Sequence, residues 1–122
     1  MAAFSPRLSA NGIWQNPYWY SDNVFYQSGY GLPNCTCYAY GRLYEVTNIQ
    51  PSLRYGNAEN WYPYTNAYPK GQTPLIGSII CWQGGGIGGH VAFVERVLSN
   101  GAVFVSESAY QQFIFRNNID LF

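Results

Sequence analysis

Charge is scarce in this 122-residue chain: six Lys and Arg balance six Asp and Glu, a tenth of all residues. A surface so poor in cations cannot neutralise a run of phosphates, so nucleic acid is excluded as the expected partner. The same neutrality gives little attraction to an anionic membrane, and no membrane partner is expected. Long apolar runs are missing as well, and none approaches the roughly 20 residues of a bilayer span. The opening Met1-Ala2-Ala3-Phe4-Ser5-Pro6-Arg7 has neither the charged n-region nor the apolar h-region of a secretory signal. The expectation is a chain that starts in a cytosol and reaches any extracellular target by another route. Histidine occurs once, which removes every zinc-finger spacing. Cysteine occurs three times, an odd number that cannot all pair internally, and Cys35 and Cys37 are too close for an ordinary bridge.

What is abundant is aromatic: twelve Tyr, seven Phe and four Trp. Tyr and Trp join an apolar body to a polar tip, so they suit groove walls as well as cores. A substrate of such a chain is gripped by stacking and hydrogen bonds more than by charge. The length fits one domain. Residues 1–32 are rich in Gly, Pro, Asn and aromatics without a period, and read as an irregular lead-in with at most short helix. From Pro33 and Asn34 a helix is expected over Cys35 to about Thr47. Cys35, Tyr38, Ala39, Arg42, Leu43 and Val46 fall on one face of it. A second short helix is expected over 57–64, capped by Gly56-Asn57. Residues 67–77 read as loop. Strands are expected over 78–82, 90–98 and 102–108, the last two joined by the turn Ser99-Asn100-Gly101, with one more over 111–115. Helices first and antiparallel strands after make an α+β fold.

Cys35 stands where the expected helix begins. A thiol is a good nucleophile only as thiolate, and a helix N-terminus favours that anion with its unpaired N–H groups and positive dipole end. A general base is also needed, and His90 is the one histidine available. It follows the run Gly84-Gly85-Gly86-Ile87-Gly88-Gly89, where the lack of side chains lets a substrate backbone approach closely. A third group should accept the other imidazole N–H. Glu95 lies five residues along the same strand, on the face opposite His90. Glu107 lies across the hairpin at about the same distance from the turn as His90, where paired residues share a face. Geometry favours Glu107. Taken singly, a Cys at a helix start or a His on an apolar strand is more often an inert core residue. Residue chemistry alone therefore leaves a Cys–His hydrolase and a purely structural reading side by side.

The segment Asn34-Cys35-Thr36-Cys37-Tyr38-Ala39-Tyr40-Gly41-Arg42 resembles the nucleophile motif of the CHAP family, the cysteine, histidine-dependent amidohydrolases and peptidases. Further segments resemble that family in the same order: Gly56-Asn57-Ala58-Glu59-Asn60-Trp61, Pro74-Leu75-Ile76-Gly77-Ser78-Ile79, Gly89-His90-Val91-Ala92-Phe93-Val94-Glu95 and Val105-Ser106-Glu107-Ser108-Ala109-Tyr110. The resemblance implies a papain-like (NlpC/P60) α+β fold, with N-terminal helices packed on an antiparallel sheet. It also implies hydrolysis of amide bonds in bacterial peptidoglycan, either within the peptide or at N-acetylmuramoyl–L-alanine. The roles it implies are Cys35 as nucleophile, His90 as base and then acid, and Glu107 as the orienting group. Asn34 and the Cys35 N–H are the oxyanion or orienting candidates. Tyr30, Trp82, Gly88 and Gly89 are the substrate-binding candidates.

The chain departs from the family pattern at three places. Asn34 replaces the usual Gln, Cys37 the usual Trp, and Ala109 the usual Asn two residues after the acid. Cys37 and Cys81 are read as packing residues. Some members hold calcium in an acidic loop ahead of the nucleophile, but between Asp22 and Cys35 this chain has no acid. No metal and no other cofactor is expected. The expected setting is a phage lysin or tail-associated enzyme, acting from the host cytoplasm after release or from the virion tail. The chain is read as a single catalytic domain, 1–122, cut from a longer protein and monomeric in isolation. The alternative is a wall-binding or virion structural module of the same fold with impaired catalysis, which Ala109 favours.

Overall fold

The computed structural model describes residues 4–53, 56–83 and 89–120. Most of the glycine run ahead of His90, including Gly88, lies outside the described residues. The lead-in is built as its turn residues suggest: 3-10 turns at Ile13–Gln15 and Pro17–Trp19, then helix α1, Val24–Gln27. Irregular here does not mean loose. Ile13, Trp19 and Asn23 are fully buried. Trp19 stacks on Tyr38 and donates its indole N–H to the Tyr38 carbonyl at 3.0 Å. Asn23 caps α1 through Oδ1, while its Nδ2 donates to the carbonyls of Tyr18 and Cys37. The lead-in is thereby fastened along helix α2, Cys35–Thr47.

Helix α2 occupies the expected range because its ends are marked chemically. Asn34 is extended, and its Oδ1 accepts from the Thr36 N–H at 3.3 Å as N-cap. Asn48 adopts the left-handed conformation at φ 56° and closes the C-terminus with its N–H on the Tyr44 carbonyl. The helix is more enclosed than one apolar face implies. Every residue from Cys35 to Arg42 is buried, since the lead-in covers one side and the sheet another. Val46, expected on the packing face, is exposed, because burial fades along the last turn.

Gly41 is where α2 and the lead-in come closest. A Cβ there would stand 2.3 Å from two atoms of the Trp19 indole. Gly41→Ala is therefore expected to destabilise the fold by about 1–3 kcal/mol, in spite of alanine's better helix propensity. A urea midpoint equal to or above that of the parent would show that this contact does not limit packing.

The expected helix over 57–64 is divided into a 3-10 turn, Ala58–Asn60, and helix α3, Trp61–Tyr64. Asn57 is extended there without a side-chain cap, and Pro63 is tolerated because it sits within the first turn of α3.

The second half is a four-stranded antiparallel meander, ordered β1 (Ile79–Trp82), β2 (His90–Val97), β3 (Val103–Ala109) and β4 (Phe113–Asp120). Asn100 and Gly101 make the β2–β3 turn, with Gly101 at φ 85° and the Asn100 Oδ1 accepting from the Ala102 N–H. Strand β4 begins later and runs further than its apolar residues indicate. Gln111, at φ 59°, belongs to the turn, and the polar residues Arg116, Asn117 and Asn118 pair with β3 as the edge of the sheet. Both faces of β2 are covered. Val91 and Phe93 lie on the α2 side, while Ala92 and Val94 join Ile80, Val103 and Val105 in a second cluster. That is why 91–94 reads as an unbroken apolar run. Helix α2 on a meander sheet is an α+β architecture.

Candidate active site

Cys35 is the first residue of α2 and stands at the margin of the core, 9% exposed. The first turn of a helix leaves N–H groups without intrahelical partners, so the Cys35 side chain and its own N–H share one positive helix end. The Cys35 side chain shares a groove wall with the imidazole of His90, the first residue of β2, and acts on its protonation. The His90 Nε2 lies 2.9 Å from Glu107 Oε1, so Nδ1 is the nitrogen left for the thiol.

Register explains why Glu107 and not Glu95 meets His90. Val94 pairs with Val105, so the face of β2 carrying Val94, Ala92 and His90 is the face of β3 carrying Val105 and Glu107. Glu95 is fully buried on the other side. Its carboxylate accepts from Arg42 Nε at 2.9 Å and Nη2 at 2.8 Å, from Ser106 Oγ at 2.6 Å and from the Arg7 N–H at 3.1 Å.

Burial pulls the His90 pKa down. Its hydrogen bonds to Cys35 and Glu107, and then their charges, outweigh burial and push it up to about 9. Burial acts on Glu107 in the opposite sense from its partners: it raises the carboxyl pKa, but hydrogen bonds and charges from His90 and Arg116 hold it below the ordinary range. A histidine raised on folding contributes stability that is complete below its unfolded value, about 6.5, and is lost as pH rises through about 9. Unfolding free energy is therefore expected to decline across that window, and His90→Ala should flatten the decline. Denaturant titrations at several pH values measure this, and equal slopes in both proteins would discount the pairing.

Arg116 was not visible as a site residue. It stands directly opposite Glu107 in the β3–β4 pairing and places Nε at 3.0 Å and Nη2 at 2.7 Å from Oε2. Its guanidinium lies over the Phe113 ring at 4.3 Å. Only the register of an edge strand whose residues look like loop could have found it. Ser108 was missed as well: its Oγ accepts the Asn34 N–H at 2.9 Å and donates to the Phe113 carbonyl, joining the start of α2 to β3.

Cys35 and His90 open on a groove of about 750 Å³, whose walls also include Tyr30, Asn34, Gly89, Ala109 and Arg116. Tyr30 is half exposed there. The side-chain amide of Asn34 is held as a cap: Oδ1 accepts from Thr36, and Nδ2 donates to the Tyr30 carbonyl at 3.1 Å. Gly89 sits at φ 80°, and a Cβ would lie 2.7 Å from the Trp82 carbonyl and 2.8 Å from the Glu59 nitrogen, so only glycine fits. Trp82 does not line this groove. It stacks on His90 with centroids 5.5 Å apart and faces a neighbouring groove of about 880 Å³. Gly88 lies outside the described residues. Cys37 is fully buried, and burial pushes its pKa up to about 12. Burial, with the Cys35 charge second, pushes Cys81 up to about 11. Both thiols are thereby kept from being nucleophiles near neutrality.

The family model described as CHAP domain matches residues 25–109, a span from α1 through β3 that holds Cys35, His90 and Glu107. An N-acetylmuramoyl-L-alanine amidase, sle1, of Staphylococcus epidermidis is 37% identical over 91 residues, covering 73% of this chain and 28% of that protein. The staphylococcal secretory antigen SsaA of Staphylococcus aureus is 36% identical over 104 residues, covering 84% of this chain and 37% of that protein. The crystal structure of an N-acetylmuramoyl-L-alanine amidase from Staphylococcus aureus superimposes with a TM-score of 0.63 and 29% identity, over 71% of this chain and 26% of that one. The chain thus spans little more than a third, or less, of each of these relatives. The family model's span, the relatives' identities and the shared fold agree: the chain belongs to the CHAP domain family.

Proposed function

We propose that this chain hydrolyses an amide bond of bacterial peptidoglycan by cysteine-based nucleophilic catalysis. The observation that carries the reading is the His90–Glu107 hydrogen bond beside Cys35 at a helix N-terminus, with Cys35 and His90 on one groove wall. In this reading His90 already carries the proton shared by the Cys35–His90 pair when Sγ attacks the carbonyl carbon, and the oxygen charge that develops meets the Cys35 N–H. The C–N bond then breaks, and His90 returns the proton to the leaving amine. Water attacks the thioester, giving its proton to His90, and releases a carboxylic acid and the free enzyme. Glu107 holds the imidazole and balances its positive charge.

The names of the relatives favour the N-acetylmuramoyl–L-alanine bond. Digestion of purified cell wall, followed by mass spectrometry of the products, tests this. New L-alanine amino termini support the amidase; a terminus further along the peptide makes the chain an endopeptidase. Binding to wall without release of any product would turn the reading into a wall-binding module, which Ala109 in the groove wall would then explain. We place the activity in a phage lysin or tail-associated enzyme. Holin or tail genes beside the coding sequence support that setting, and a bacterial autolysin locus overturns it.

The raised His90 predicts the shape of the pH profile. The rate should fall as pH rises through about 9, where the imidazolium loses the proton needed by the leaving amine. Glu107→Gln removes the charge that supports the imidazolium, so this limb should move to lower pH. A limb that stays in place would remove Glu107 from the reading.

A further inference from the structure

Resting on that reading, we propose that Arg116 is a positioning residue of the catalytic site: it clamps Glu107 Oε2 from the neighbouring strand, so that Oε1 is presented to His90. A carboxylate on a two-bond stem can rotate and offer either oxygen in either direction. Here each oxygen has its own partner, Oε1 with His90 Nε2 and Oε2 with both Nε and Nη2 of Arg116. The guanidinium also lies over the ring of Phe113, which pairs with Ala109 across the β3–β4 turn. Charge-assisted bonds of this kind are short and directional. They meet a side chain that is almost wholly buried, so the carboxylate has no water shell to compete with them.

The surroundings make Arg116 the group suited to this task. Ala109 offers no polar atom, and the amide of Asn34 is held as the cap of α2. The charged and titratable groups that act on Glu107 are His90 from β2 and Arg116 and Asp120 from β4, with Cys35 at the start of α2 reaching it only through His90. Arg116 is the one permanent cation among them. Its side chain is half exposed, and it bears on the reaction through Glu107 rather than through the core.

The experiment compares the parent chain with Arg116→Gln and Arg116→Lys, using kinetics on purified wall and NMR titration of the single histidine. For Arg116→Gln, kcat is expected to fall about tenfold or more with KM nearly unchanged, as befits loss of charge-assisted hydrogen bonds to a catalytic partner. The acid limb of the pH profile, set by ionisation of Glu107, should move to higher pH, and the matching inflection in the His90 ring signals should move with it. Arg116→Lys keeps the charge and should restore most of the acid limb but not all of kcat. A rise in KM with kcat unchanged would make Arg116 a substrate contact and overturn the proposal, as would an acid limb and His90 inflection that do not move. The NMR titration does not depend on turnover. An inactive parent chain in which the Arg116→Gln inflection still moves would count against the hydrolase reading alone.

Discussion

Cys35→Ala is expected to lower the rate of wall hydrolysis by about a thousandfold or more and to leave the fold standing. The size follows from what is removed: without Sγ no thioester forms, and the remaining helix N-terminus and groove only bind and polarise the substrate. The stability change should stay within about 1 kcal/mol, since Cys35 lies at the edge of the core and its cap, Asn34, is bound by its own set of partners. His90→Ala should lose a comparable factor of activity. The double variant should be no worse than either single one, because nucleophile and base act as a unit. Additive losses would mean that the two residues serve separate steps. Turbidity clearing and product release, measured on protein with matched thermal melts, distinguish these outcomes.

Much of this site was legible because its parts are local. The start of α2 is announced by Asn34, whose short amide can reach back to the Thr36 N–H, and no tertiary contact is needed to read that. The β2–β3 turn is announced by Asn100-Gly101, and the turn sets the side-chain alternation of both strands. From alternation alone Glu107 could be preferred over Glu95 as the neighbour of His90.

What was not legible depends on pairing between segments that carry weak local signals. Arg116 lies in a stretch, Arg116-Asn117-Asn118, without β-branched or aromatic residues. Its partnership with Glu107 follows from a register that shifts at an irregularity between Glu107 and Ala109. The lead-in shows the same limit from the other side. Its turns were readable, but that Trp19 fits over Gly41 is a fact of shape, and neither residue signals it alone. The place of Trp82 beside the glycine run points to a groove wall. Strand pairing instead sets it across from His90, where its ring packs on the imidazole.

Glu95→Ala is expected to destabilise the fold by about 3–5 kcal/mol, the largest stability effect of any single change considered, while sparing the chemistry. Glu95 looks from sequence like a catalytic candidate, being an acid on the same strand as His90. Its environment is structural. The carboxylate is completely enclosed and receives two bonds from the buried Arg42 guanidinium. Through Ser106, which also accepts from the Tyr38 hydroxyl at 2.7 Å, it ties β3 to α2. Arg42 in turn donates to the Ser5 carbonyl and pairs with Glu45, which also receives Arg7, so the start of the chain hangs on the same network. Removing the carboxylate leaves a buried cation without its main partner, and that uncompensated charge is the source of the large effect. If so, a second substitution that removes the cation, Arg42→Met with Glu95→Met, should recover part of the loss, though not the bond to Ser5. The measurement is a double-mutant cycle by chemical denaturation, with wall hydrolysis assayed on the folded fraction. A strong positive coupling with activity per folded molecule near the parent value would separate the two acids of the sheet, Glu95 in the scaffold and Glu107 in the chemistry. Loss of activity at Glu95 without loss of stability would reverse that division.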